Sequence, residues 1–401
     1  MSGQNASWAE RSKKVIIGTY ARYAAAMVKG DGCKLTDADG REYLDCLSGI
    51  AVCSLGHCHP VVTDAICAQA KKLVHVSNLY DTLPQIELAE LLTANSFADQ
   101  IFLANSGAEA NEAAIKLARI CSGPERYGII SLAGSFHGRT LATVAATGQP
   151  KFHEGFEPMP DGFSHAPFGN LNVLDAMIAN QTCAIMCEPL QGESGVRPLD
   201  VEYLKGLVDL CKKHDLLLIF DEIQTGIGRT GSFFAYEQLG IVPDIMTVAK
   251  ALGNGLPIGA MLTRKELAAS FVPGTHGSTF GGNPVAAAGA VATLKIILED
   301  GFLKSVKEKG DYLQAGLTDL AARFPGLASG ARGMGLIQGL VLTEKGVEYG
   351  ADMVNKLFEK GVLINFAGNT VLRFLPPLII SKEEINQLLA ALGEVLAEFE
   401  A

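Results

Sequence analysis

Two short apolar runs mark the middle of the chain. Leu216, Leu217, Leu218, Ile219 and Phe220 stop at Asp221; Ile245, Met246, Thr247, Val248 and Ala249 stop at Lys250. Apolar runs of this length, without polar alternation, fit strands buried on both faces, as in parallel sheets. They belong to a longer series. From about residue 85 the pattern switches between helical periodicity and short apolar runs. It predicts a helix over 85–94, a strand over 101–104, a helix over 108–121, a strand over 128–132 and a helix near 139–147. A strand over 183–188, a helix over 200–214 and strands over 216–220, 245–249 and 258–263 follow. Such alternation predicts an α/β fold with a mostly parallel sheet covered by helices on both faces.

The flanks read differently. An initial helix or arm precedes a hairpin, with strands over 33–37 and 41–45 around the turn Ala38-Asp39-Gly40, Asp-Gly being favourable turn chemistry. An irregular stretch from Ser48 to His57 follows, and His59-Pro60 opens an amphipathic helix over 61–74, proline being at home in a first helical turn. Beyond Asn283-Pro284 a long alanine-rich helix runs to about residue 299. Helices near 302–323, 350–360 and 382–399 come after it, with short strands between. The pattern divides the chain into a large α/β domain, 61–290, and a smaller α+β domain built from 1–60 and 291–401.

Composition narrows the partners. The 401 residues are 48% hydrophobic, enough for two cores. A formal net charge of -10 argues against nucleic acid or an anionic membrane as partner. No apolar run reaches the length of a membrane span, and the polar residues 2–10 are unlike a signal peptide. Nine cysteines scattered through apolar segments fit buried side chains in a reducing, cytoplasmic setting. His57-Cys58-His59 is spaced too tightly for the usual zinc patterns, and no metal site is expected.

Asp221 and Lys250 stand at the carboxyl ends of their strands, where open α/β sheets build their sites. An acid and an amine placed this way suit pyridoxal phosphate. That cofactor needs a lysine to hold it and a carboxylate on its pyridine nitrogen, so that the ring can take up an electron pair. Taken singly, each residue is more readily a helix-capping aspartate or a solvated lysine. The stretch Asn105-Ser106-Gly107-Ala108-Glu109-Ala110-Asn111 joins a strand to an alanine-rich helix. It is either a phosphate cradle at a helix N-terminus or an ordinary serine cap. Arg373, inside the apolar run Val371-Leu372-Arg373-Phe374-Leu375, requires a carboxylate partner.

With three further stretches these motifs resemble, in order and over nearly the whole chain, the class-III (ω-amino acid) pyridoxal-phosphate aminotransferases. The three are Ser135-Phe136-His137-Gly138-Arg139-Thr140, Glu188-Pro189-Leu190-Gln191-Gly192-Glu193-Ser194-Gly195 and Gly277-Ser278-Thr279-Phe280-Gly281-Gly282-Asn283-Pro284. The resemblance implies a fold-type-I pyridoxal-phosphate transferase with Lys250 holding the cofactor and moving the proton, and Asp221 on the pyridine nitrogen. It implies that Phe136 and Ile223 sandwich the ring and that Gln224 meets its phenolic oxygen. Ser106, Gly107 and Ala108 would hold the phosphate, completed by Thr279 of a second copy, which makes the protein a homodimer with shared sites. Glu193 would cover Arg373 except when glutamate brings its own α-carboxylate; Ser194 stands where the family usually has glycine. Arg139 and Ser278 would meet the substrate end remote from the reacting amine. Within the family, Ser48–His57 and Val76–Tyr80 are most like the branch of arginine biosynthesis that exchanges an amino group between N-acetylornithine and 2-oxoglutarate or glutamate. Ornithine, succinylornithine, N-succinyl-diaminopimelate and 4-aminobutyrate are the alternative amines.

Overall fold

The computed structural model describes residues 3–400. Its centre is a seven-stranded sheet. Across it lie Gln100–Ala104, Gly259–Thr263, Ile245–Val248, Leu217–Asp221, Thr182–Cys187, Gly128–Leu132 and Phe163–Ala166. Gly259–Thr263 runs antiparallel to both its neighbours, and the other pairings are parallel. The mostly parallel sheet is therefore present, with one reversed strand inside it.

The apolar runs lack alternation because both faces are buried. Leu218 and Phe220 enter one core with Met246 and Val248; Ile219 and Ile245 enter the core on the opposite face. There the helix Gly107–Ser122 lays Ala113, Ala114, Ile115, Leu117 and Ala118 against the sheet. Phe163–Ala166, with its short and half-polar sequence, has no apolar run to betray it, and the sequence pattern missed it. It pairs only with Gly128–Leu132, at the edge.

The N-terminal hairpin forms as Lys34–Asp37 and Glu42–Asp45, slightly shorter than expected. Asp37 fastens its turn: one carboxylate oxygen accepts from the backbone N–H groups of Asp39 (3.0 Å) and Arg41 (2.9 Å). Glu42–Asp45 pairs with Val362–Leu363, so the beginning of the chain joins its last third. A second four-stranded sheet, Ala328–Met334, Ile337–Leu342, Val371–Phe374 and Asn365–Ala367, is wholly antiparallel. Cys33, Leu44 and Cys46 share one core with residues of the helices Phe302–Arg323, Gly350–Glu359 and Lys382–Glu400. The alanine-rich helix, Pro284–Ile297, packs into the large core. Among the described residues no helix is long and apolar enough to cross a membrane.

Candidate active site

The carboxyl ends of the central strands open into a cavity of about 450 Å³, a size typical of small-molecule sites. Asp221, the last residue of its strand, lines it, as does Lys250, two residues beyond Ile245–Val248. Glu188 also lines it, just past the end of Thr182–Cys187. Three strands thus deliver three ionisable side chains to one space. Ser106, Gly107, Ala108, Phe136, Arg139, Glu193, Ile223 and Gln224 line the same cavity. These residues come together from far apart in the chain.

Lys250 sits in a 3-10 turn with φ 45°, the left-handed region that a non-glycine residue adopts at a cost. Burial pushes its amine below the usual lysine range; Glu193, Asp221 and Glu188 pull it back up, and Arg373 pushes it further down. Asp221 is buried, and its hydrogen-bond partners are an amide, an imidazole and a backbone N–H. Its Oδ2 accepts from Asn111 Nδ2 (2.8 Å) and from His137 Nδ1 (2.8 Å), and its Oδ1 accepts from the Ile223 N–H (3.0 Å). Asn111 is itself saturated. Its amide nitrogen also donates to the His137 carbonyl (2.7 Å), and its oxygen accepts from the Thr247 hydroxyl (2.7 Å).

Arg373 is completely buried and pairs with Glu193 at 2.9 Å, as the apolar strand around it demands. Its Nε donates to Asn365 Oδ1 (3.1 Å), while Nη2 is buried without a partner. Burial acts to raise the Glu193 carboxyl, but Arg373 and Lys250 outweigh it and hold the group below its usual range. Gln224 stands between the two, 3.5 Å from each. The Ser194 hydroxyl donates to Gln191 Oε1 (2.9 Å), so serine is accommodated in this loop.

Ser278 and Thr279 are placed elsewhere. The Ser278 hydroxyl accepts from Asn105 Nδ2 (3.0 Å) and from the Gly281 N–H (3.0 Å), outside the cavity wall, and Thr279 is exposed. Arg139 is exposed at the cavity rim. Sequence reasoning assigned no role to Asn111, His137 or Glu188. A polar residue on the alanine face of a buried helix was the available signal for Asn111, since it must find partners. The stretch Ser48–Ala51, read as irregular, is a turn in which Ser48, Gly49, Ile50 and Ala51 all have left-handed φ. It leads into Val52 on the cavity wall. Asp45 holds it by accepting from the N–H groups of Leu47 (2.9 Å) and Ser48 (2.8 Å). The other Asp45 oxygen takes the His57 ring at 2.7 Å.

Residues 18–396 match the family model "Aminotransferase class-III", and the chain belongs to that family. It is 48% identical over 390 residues to the acetylornithine aminotransferase of Caldanaerobacter subterraneus subsp. tengcongensis, covering 96% of this chain and 98% of that one. It is 50% identical over 392 residues to the acetylornithine aminotransferase of Gloeobacter violaceus, covering 95% and 96%. Among solved structures, the N-acetylornithine aminotransferase of Stenotrophomonas maltophilia K279a superposes with a TM-score of 0.83 at 37% identity, covering 97% and 98%. The ornithine aminotransferase of Toxoplasma gondii ME49 gives 0.93 at 30% identity, covering 98% and 95%. The enzyme is a pyridoxal-phosphate-dependent aminotransferase with the fold-type-I architecture.

The residues present fit that cofactor. Among the described residues Asp221 has no lysine or arginine within salt-bridge distance, only His137. A buried carboxylate without a full cationic partner is costly, and a protonated pyridine nitrogen would supply the missing charge. At another wall the helix starting at Gly107 presents its N-terminus, a position suited to a phosphate, where the Ser106 hydroxyl also caps the Glu109 N–H at 3.2 Å.

Proposed function

We propose that this chain transfers the δ-amino group of N2-acetyl-L-ornithine to 2-oxoglutarate, giving N-acetyl-L-glutamate 5-semialdehyde and L-glutamate in two half-reactions at one site. The observation that carries the reading is the Glu193–Arg373 pair, 2.9 Å apart, with Glu193 on the wall of the cavity that Lys250 and Asp221 share and Arg373 fully buried. When bound, the cofactor supplies an electron sink for the carbon that loses its proton. Asp221 Oδ atoms, aimed by Asn111, His137 and the Ile223 N–H, hold the charge on which that sink depends. Ser106, Gly107 and Ala108 bind the phosphate, Phe136 and Ile223 orient the ring, and Gln224 meets its phenolic oxygen. Lys250 Nζ holds the cofactor and moves the proton. Its burial favours the neutral amine, the form that can take a proton up.

Arg373 serves the two amines differently. The reacting carbon of N-acetylornithine carries no carboxylate, so Glu193 stays on Arg373. Glutamate brings an α-carboxylate that takes the place of Glu193. Arg139 receives the substrate end remote from the reacting amine. Residues 61–290 act as the cofactor-binding domain, and 1–60 with 291–401 as the smaller domain; the shared core of the hairpin and the last third supports this, although residues 291–297 complete the helix that packs into the large core. The steady-state test is a panel of N-acetylornithine, ornithine, succinylornithine, N-succinyl-diaminopimelate and 4-aminobutyrate with 2-oxoglutarate. N-acetylornithine should show the highest kcat/KM. A free ω-amine in first place overturns the substrate assignment.

The working form is a cytoplasmic homodimer. Thr279 is exposed beside Phe280, and Leu79, Tyr80 and Leu83 are large apolar side chains in the open, an arrangement that a second copy covers. Thr279 then completes the partner's phosphate site. Subunits carrying Lys250→Ala, mixed with subunits carrying Thr279→Ala, should regain activity on exchange, because one site of each mixed dimer holds both intact residues. No recovery after verified exchange, with Thr279→Ala itself impaired, removes the shared site.

A further inference from the structure

Arg139 is exposed and long, yet an anchor for the far end of a substrate has to stand still. Its support is Phe152, behind the cavity wall. The Arg139 guanidinium carbon lies 4.0 Å from the centroid of the Phe152 ring and 5.6 Å from that of Phe136. Phe152 meets Phe136 edge to face, with centroids 5.7 Å apart and planes at 80°, the geometry that aromatic pairs prefer. Guanidinium, Phe152 and Phe136 thus form one continuous chain of contacts, the guanidinium over the Phe152 ring and Phe152 edge-on to Phe136.

These contacts are anchored to the loop that carries Phe136 and Arg139. Phe152 occupies the short turn Pro150–Phe152, where its N–H donates to the Gln149 carbonyl (3.0 Å). Gln149 Nε2 donates to the carbonyls of Gly134 (3.3 Å) and Ser135 (3.1 Å), immediately before Phe136. On the other side, His153 Nε2 lies 2.9 Å and 2.8 Å from the carbonyls of Val144 and Thr147. The turn can hardly shift relative to the loop without breaking these contacts.

We propose that Phe152 is a positioning residue that fixes, by stacking on Arg139 and abutting Phe136, the distance from Phe136 at which a substrate's remote carboxylate is gripped. This rests on the reading of Arg139 as the receiver of that carboxylate. A planar, weakly hydrated guanidinium gains from an aromatic face and loses less freedom on binding once stacked. Removing the ring therefore weakens binding of substrates and leaves the chemistry of the reacting carbon alone.

The test uses the holoenzyme and compares Phe152→Leu, Phe152→Tyr, Arg139→Ala and the double variant Phe152→Leu/Arg139→Ala. Phe152→Leu should raise KM for N-acetylornithine and for 2-oxoglutarate about ten-fold, with kcat at saturation nearly unchanged. Phe152→Tyr should keep both near wild type. In calorimetry, binding of glutarate, an unreactive five-carbon dicarboxylate, should weaken by a similar factor in Phe152→Leu. In the Arg139→Ala background, Phe152→Leu should add nothing. Independent, multiplying effects overturn the proposal, as does a fall in kcat at constant KM. If Phe152→Leu lowers the unfolding midpoint, Phe152→Tyr and the double variant still decide between the outcomes. Should Arg139→Ala leave KM and glutarate binding unchanged, the Arg139 reading itself falls, a result distinct from a silent Phe152→Leu beside an impaired Arg139→Ala.

Discussion

Two arginines of this protein are completely buried, each with one nitrogen left unpaired, and their other partners differ in kind. Arg229 faces backbone. Its Nη1 donates to the carbonyls of Leu336 (3.0 Å) and Pro376, and its Nη2 to the hydroxyls of Ser54 (3.2 Å) and Ser48 (3.5 Å). Among the described residues it has no carboxylate within salt-bridge distance, and burial pushes its guanidinium down to about 9. Arg373 instead faces a carboxylate, Glu193, whose side chain remains 31% exposed at the cavity. Carbonyls fixed in the chain cannot leave Arg229, whereas a side chain can rotate away from Arg373. The first arrangement ties three separate segments together, including the strained turn at Ser48. The second can exchange one carboxylate for another. Burial of a charge is common to both; the mobility of the partner separates structure from function.

The largest effect on stability is expected at the clamp. Arg229→Met leaves two buried carbonyls and two hydroxyls without donors and should cost about 3–5 kcal/mol in denaturant unfolding. A loss below about 1 kcal/mol would mean that the carbonyls find other donors, and the contrast with Arg373 would lose its meaning. Arg373→Met should be milder for the fold, because Glu193 can turn into the cavity.

For activity the order reverses. In single-turnover measurements Arg373→Met should slow the glutamate half-reaction about a hundred-fold or more, and the N-acetylornithine half-reaction far less. Glu193→Ala removes the competitor. It should tighten or speed the glutamate half-reaction and slow the N-acetylornithine one about ten-fold, since the guanidinium is then left unpaired. Equal losses in both half-reactions would show Glu193 to be purely structural.

The smallest effect is the pH dependence that the pair imposes. The Glu193 carboxyl is held below its usual range in the folded state. Its contribution is therefore complete above the unfolded value of about 4.3 and is lost as pH falls through the lower folded value. The stability gap between wild type and Glu193→Gln should be flat from about pH 6 to 8 and close on acidification below about pH 4. The gap for Arg229→Met, with backbone acceptors, should change much less over the same range. A Glu193→Gln gap that persists to the acid limit would remove the ion pair as its cause.

Much of this protein was determined locally. The runs at 216–220 and 245–249 specify strands because uninterrupted apolar residues have to be buried on both sides, and Asp221 and Lys250 are found where those runs end. The Asp37 turn follows from a short acceptor able to reach the N–H groups of the next few residues. The hydrophobic pattern also placed the helix behind Ser106. Tertiary structure alone decided which distant groups meet. Glu193 and Arg373 are 180 positions apart, and only the packing of one strand pair against a loop brings them to 2.9 Å. Asn111 and His137 reach Asp221 from a helix and a loop that share no periodicity with it. The left-handed turn at Ser48–Ala51 runs against local preference, most of all at the β-branched Ile50. It stands because Asp45 and Arg229 grip it from outside the turn. Local preference extends only over a few residues, whereas hydrogen-bond satisfaction in a buried site is a condition on the whole fold.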